Sequence, residues 1–211
     1  MENISILDQN PVELLDEHDL TTQNETKSLK IDVLEIKRHP KYQSRTSFDY
    51  DFALLKLNHS VDFASNHGIR TACMPKRHTF VGNLSMSWTY SEFLSFVLKN
   101  REKYCSQTLS CQLPKISGAH LQAWTSGWGF TDLANPVKAE QLQKVNVFTM
   151  TNHKCKIYYM NNHKITDSML CAKSYAGGDA CRGDSGGPLV NDDNELIGVV
   201  RYKNILRTKY W

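Results

Sequence analysis

The residues best equipped for chemistry lie together near the C-terminal end, in Gly177-Gly178-Asp179-Ala180-Cys181-Arg182-Gly183-Asp184-Ser185-Gly186-Gly187-Pro188. A serine hydroxyl is a weak nucleophile at its free pKa. It needs a partner base, and it needs donors for the oxyanion formed when it attacks a carbonyl. Ser185 sits among Gly183, Gly186 and Gly187, which permit tight, positive-φ backbone. Such a turn can aim the N–H groups of Gly183 and Ser185 at one point and so form an oxyanion hole. The competing reading is a glycine-rich turn whose serine caps a backbone group.

A nucleophile of this kind acts only if other elements hold its partners in place. At 211 residues the chain can bury one sizeable core, or two small ones that form a single functional unit. A hydrophobic content of 40% and a charged content of 22% are ordinary for a globular protein. The net charge of +3 is small and scattered, which argues against nucleic acid or membrane as a partner. The apolar run Phe93 to Leu98, broken by Ser95, is too short to span a bilayer. Leu29, Ile31 and Val33 alternate with Lys30 and Asp32, which predicts a half-buried strand ended by His39-Pro40. Further strands are expected at Asp51 to Leu57 and through Val145, Val147 and Thr149, with a short one running into a loop over Glu13 to Leu20. Thr151-Asn152 can cap a short helix carrying His153 to Met160.

Six cysteines (Cys73, Cys105, Cys111, Cys155, Cys171, Cys181) and four N-x-S/T acceptors (Asn3, Asn24, Asn58, Asn83) suit an oxidising, secretory setting. The opening Met1-Glu2-Asn3-Ile4-Ser5 has neither the basic nor the apolar region of a signal peptide, and a missing front end reconciles the two observations.

The run Gly183 to Pro188, with Cys181 before it, resembles the G-D-S-G-G-P signature of the trypsin-like serine endopeptidases, the S1 family with the chymotrypsin fold. Asp51-Phe52-Ala53-Leu54-Leu55-Lys56-Leu57 resembles that family's N-D-I-A-L-L-K-L block, with Tyr50 where asparagine usually stands. Ala72-Cys73-Met74-Pro75 and Trp124-Thr125-Ser126-Gly127-Trp128-Gly129 resemble its C-L-P and V-T-G-W-G segments. The resemblance implies an all-β architecture of two antiparallel barrels with the active site in the cleft between them. Residues 1–200 then form an incomplete peptidase domain. Residues 1–75 are what remains of the N-terminal barrel, 76–122 a segment inserted in the crossing, 123–200 a C-terminal barrel lacking its last strands, and 201–211 an unrelated tail. The inserted segment carries Cys105, Cys111 and the basic run Lys99 to Lys103, and the sequence leaves open a functional loop, disorder or retained non-coding sequence.

The family's roles map residue by residue. Ser185 is the nucleophile and Asp51 the carboxylate that orients a histidine, with Asp49 two residues earlier as its competitor. Gly183 and Ser185 supply the oxyanion donors. Asp179, six residues before Ser185, stands at the base of the primary pocket, where its charge favours cleavage after Lys or Arg. Asp184 is the acceptor for the buried ion pair with a freshly cut N-terminal amine. Cys155 and Cys171 form a disulfide whose ring of this size is worth about 3 kcal/mol in the loop-entropy description. Ala123 and Asn191 replace a cysteine pair that the family often carries, while Cys73 and Cys181 match cysteines whose usual partners lie outside this sequence. The implied partners are protein or peptide substrates with Lys or Arg at the cleavage position, and protein inhibitors. No nucleic acid, no membrane, no cofactor and no metal is expected, since His153, Cys155, His163 and Cys171 lack zinc-ligand spacing. Secretion is the expected location.

Three departures qualify this. No histidine stands in an A-A-H-C context: His18 is the stand-in by position, but its Glu17-His18-Asp19 setting resembles a surface loop, so the base is expected outside this chain. Removing one member of such a unit costs about 10⁶-fold in turnover in the subtilisin example, so the chain is expected to be inactive as given. No I-V-G-G start is present to pair with Asp184, which would then be protonated or turned to solvent. Arg201-Tyr202-Lys203-Asn204 stands where the family's S-W-G strand follows. The alternatives are a non-catalytic homologue that binds a partner protein, and a fragment that does not fold, because missing strands leave open sheet edges.

Overall fold

The computed structural model describes residues 11–22, 28–44, 46, 48–73, 120–132, 136–159 and 164–201. Most of residues 76–122, including Cys105, Cys111, Phe93 to Leu98 and Lys99 to Lys103, lies outside them. So do His163, Asn3, Asn24, Asn83 and residues 202–211. The described residues are mostly strand with one short helix, in two antiparallel sheets, as the all-β expectation requires.

The first sheet has the order β1-β2-β3, with β1 at Val12–Leu15, β2 at Leu29–Arg38 and β3 at Ala53–Leu57. The period-two pattern of β2 buries Ile31 completely and Val33 almost so. The alternation ends there, because the register against β3 slips between Val33 and Glu35, leaving Leu34 as an extra, exposed residue. Before Pro40 the chain turns at His39, which is buried and stacked on Tyr50 at 4.4 Å between ring centroids. Its Nδ1 accepts the Lys41 N–H, and burial, reinforced by the Lys41 charge and opposed by Asp49, pushes its pKa down.

The second sheet has the order β6-β5-β4-β7-β8: β4 at Gln122–Gly127, β5 at Gln143–Met150, β6 at Cys171–Lys173, β7 at Pro188–Asn191 and β8 at Leu196–Val199. Its core is Ala123, Val147, Leu189 and Ile197, with Leu121 packed against it. Ala123 and Asn191, the two positions lacking the family's cysteines, are direct cross-strand partners. Both are buried, and Asn191 Nδ2 donates to Glu195 Oε2 at 3.0 Å while its Oδ1 accepts the Glu195 N–H at 2.8 Å. That exchange closes the β7–β8 hairpin. The helix α1, Asn152–Tyr158, has Thr151 as its N-cap, whose hydroxyl accepts the Lys154 N–H. Cys155 on α1 is disulfide-bonded to Cys171 at the start of β6.

Several polar contacts join the halves among the described residues, and two seams of them stand out. Asp19 pairs in a bridge with Gln141, Leu20 N–H donates to Glu140 and Leu142 N–H to His18. The other seam centres on Asp49, which is 0% exposed. Its carboxylate accepts hydroxyls from Thr166 at 2.8 Å, Ser168 at 2.6 Å and Ser44 at 2.9 Å, and Ser168 Oγ accepts the Tyr50 N–H. Asp49 is therefore a structural link between the halves.

Replacing Asp49 with alanine removes the shared acceptor of three hydroxyls, of which Thr166 and Ser168 keep their bond to each other. Asp49→Ala is expected to lower unfolding stability by about 3 kcal/mol, read from the urea midpoint. Asp19 has a pKa below 3.8, because it accepts the Thr21 hydroxyl, then the Thr21 N–H and the Gln141 amide. A folded value below the unfolded one gives stability that is complete above the unfolded value and lost as pH falls through the folded value. Thermal melts from pH 6 downward should therefore show a steep acid limb beginning near 3.8 and flattened in Asp19→Asn.

Candidate active site

Ser185 lies at the junction of β4, β7 and the loop before β7. Two turns run head to tail there. Asp184 N–H donates to Cys181 C=O at 3.1 Å, and Gly187 N–H donates to Asp184 C=O at 3.0 Å. The third residue of each is a glycine with positive φ, Gly183 at 101° and Gly186 at 94°, as type II turns demand. Ser185 is the exposed second residue of the second turn. Arg182 C=O accepts the Phe130 N–H at 2.9 Å. A trans peptide points its N–H opposite to its C=O, so the Gly183 N–H faces away from Phe130. Among the described residues it has no acceptor.

Asp184 joins the two turns to the end of β4. Its Oδ1 accepts the Gly129 N–H at 2.8 Å and its Oδ2 the Cys181 N–H at 2.7 Å. The carboxylate thus has partners without an inserted amine, neither turned to solvent nor left bare. A side chain at Gly129 would collide with that carboxylate, which accounts for the glycine.

Asp51, exposed just before β3, reaches the same region by a different route. Gly186 N–H donates to Val200 C=O and Val200 N–H to Gly187 C=O, both at 2.8 Å. The next residue, Arg201, pairs with Asp51, Nε to Oδ2, at 2.7 Å, and its guanidinium lies 3.6 Å from the Phe48 ring centroid. Two hydrogen bonds to Val200, the Val200–Arg201 peptide and one ion pair therefore connect the turn of Ser185 with Asp51. His18 is exposed, and the fold uses its carbonyl, which accepts Trp128 Nε1–H at 3.1 Å. Ser185 borders an open depression with Leu20, Trp128, Leu142 and Pro188, which takes in neither Asp51 nor Asp179.

Asp179 sits in the exposed loop between β6 and β7, where its Oδ1 accepts the Ala180 N–H at 2.9 Å. Although the residue is exposed, the protein crowding its carboxyl raises its pKa by desolvation; the Ala180 N–H and the Lys173 charge oppose this. Tyr159, after α1, is raised by burial and then by the Asp179 charge, and Lys173 Nζ lies 5.5 Å from the Tyr158 ring centroid. The Cys155–Cys171 bridge holds these elements together. Sequence reasoning missed Arg201, Lys173 and Tyr159. Arg201 was findable as the residue immediately following the Leu196–Val200 match, whereas the other two carry no motif.

Gly183→Ala forces a side chain into positive φ and to 3.0 Å from Gly129 Cα, so it is expected to lower stability by about 1–3 kcal/mol in thermal melts. A family-wide sequence profile described as trypsin matches residues 6–100 and 95–209. Trypsin 5G1 of Aedes aegypti is 35% identical over 174 residues, 82% of this chain and 50% of its own length. Coagulation factor XI of Bos taurus is 30% identical over 174 residues, 81% of this chain and 21% of its own length. The chain thus spans half or less of these relatives. Neuropsin, a serine protease expressed in the limbic system of mouse brain, has the same fold, with a TM-score of 0.59 and 24% identity over 88% of this chain and 64% of its own. The chain belongs to the trypsin family, the S1 serine proteases of chymotrypsin fold.

Proposed function

We propose that this chain is a serine-type endopeptidase domain that cleaves after Lys or Arg and draws its catalytic histidine from outside these residues. Ser185 Oγ attacks the substrate carbonyl carbon, its proton passes to that base, and the oxyanion is met by the N–H groups of Gly183 and Ser185. The C–N bond then breaks, the amine leaves with the proton, and water releases the acyl group. Asp51 orients the base, Asp179 pairs with the basic substrate side chain, and Asp184 holds the oxyanion loop. The observation that carries this reading is the Gly183 N–H, directed away from Phe130 and without an acceptor among the described residues. Protein substrates and protein inhibitors are the partners that fit. Secretion fits the disulfide and the exposed acceptor Asn58. Without its base the chain by itself is expected to leave peptides uncut.

The second reading is a non-catalytic homologue that binds a partner protein. The pairing of Asp51 with Arg201 favours it, because that carboxylate is already engaged.

A fluorophosphonate probe tests these readings by forming an Oγ–P bond at a reactive serine with loss of fluoride. Slow labelling at Ser185, absent in Ser185→Ala, supports the endopeptidase reading. Labelling of other residues alone refutes it and leaves the binder. Benzamidine should protect Ser185, because its amidinium pairs with ionised Asp179. As pH falls through the raised Asp179 pKa this protection should fade, at a pH above that of an ordinary carboxylate. Equal protection in Asp179→Asn would remove Asp179 from recognition.

A further inference from the structure

Arg201 and Asp51 form an ion pair that the endopeptidase chemistry does not use, and it occupies the carboxylate that chemistry needs. The contact is short, 2.7 Å from Nε to Oδ2, with Phe48 stacked beneath the guanidinium at 3.6 Å. Arginine stays protonated throughout the accessible pH range, so it cannot serve as the base. Its planar group uses both anchors at once: the charge-assisted bond fixes one edge and the aromatic ring covers one face. Its backbone is fixed as well, since Val200 is hydrogen-bonded in both directions to Gly186 and Gly187. The side chains are partly exposed, 37% for Arg201 and 33% for Asp51, so the pair lies near the surface rather than in the core, where an incoming base could reach it.

Resting on the endopeptidase reading, we propose that Arg201 is a built-in occupant of the cleft that holds Asp51 and excludes any imidazole from it. A base arriving from elsewhere must displace the guanidinium from the Asp51 carboxylate and from Phe48 before it can be oriented. The site is therefore closed by its own side chain and opens when Arg201 swings out. Removing that side chain should make Ser185 responsive to a small added base, whereas the starting chain should be nearly indifferent to it.

The experiment uses the full chain, Arg201→Ser, and the double variant Arg201→Ser with Asp51→Asn. Fluorophosphonate labelling of Ser185 is timed with and without added imidazole. Arg201→Ser is expected to label about tenfold faster or more with imidazole, a gain that the double variant loses. Equal imidazole dependence in the full chain and in Arg201→Ser overturns the proposal while leaving Ser185 as nucleophile. Failure to label Ser185 in all three chains overturns the nucleophile reading itself. A nuclear magnetic resonance measurement on the full chain needs neither labelling nor a folded Arg201 variant. The Arg201 Nε–H should exchange slowly with water and become fast in Asp51→Asn. Fast exchange in both overturns the proposal.

Discussion

The buried carboxylate of Asp49 fixes where the two halves of this molecule meet. With no exposure to water, its charge is compensated by hydroxyls of Ser44, Thr166 and Ser168, which come from both sides of the seam. Each hydroxyl that withdraws removes one bond from a buried carboxylate, so the seam resists sliding. Asp51 lies two residues further along, within about 7 Å of extended chain. Its position is thereby set by a buried neighbour two residues back. His39, stacked on Tyr50 and with its pKa lowered chiefly by burial, braces the same corner from the other side.

The surroundings of Ser185 and of Asp51 are built by two different means. Around Ser185 the backbone does the positioning, through paired turns, positive-φ glycines and the amides that hold Asp184. Around Asp51 the side chains do it, and one exchange of partners changes the state of the carboxylate. The first arrangement is rigid by covalent geometry, while the second depends on competition between cations.

Much of this was readable from residue order. The alternation through Leu29, Ile31 and Val33 appears as β2, and Thr151 caps the helix after β5, because both signals are local. The glycine pattern around Ser185 was equally local, since each glycine answers to a turn a few residues long. What escaped notice was non-local. Asp49 and Asp51 look alike as acids at a strand entrance, and only burial against Thr166 and Ser168 separates them. Arg201 carries no motif of its own, and its partner lies 150 positions away. The end of β2 also departs from simple alternation: the register slips at Leu34, and every residue from there to Arg38 is exposed.

The two ends of the second sheet are held by different chemistry. Ala123 and Asn191 face each other without a covalent link, and the hairpin there is closed by the amide of Asn191 and by Glu195. At the opposite edge the helix is tied to β6 through Cys155 and Cys171. A thiol reductant therefore frees the helix from its strand and leaves the β7–β8 hairpin untouched.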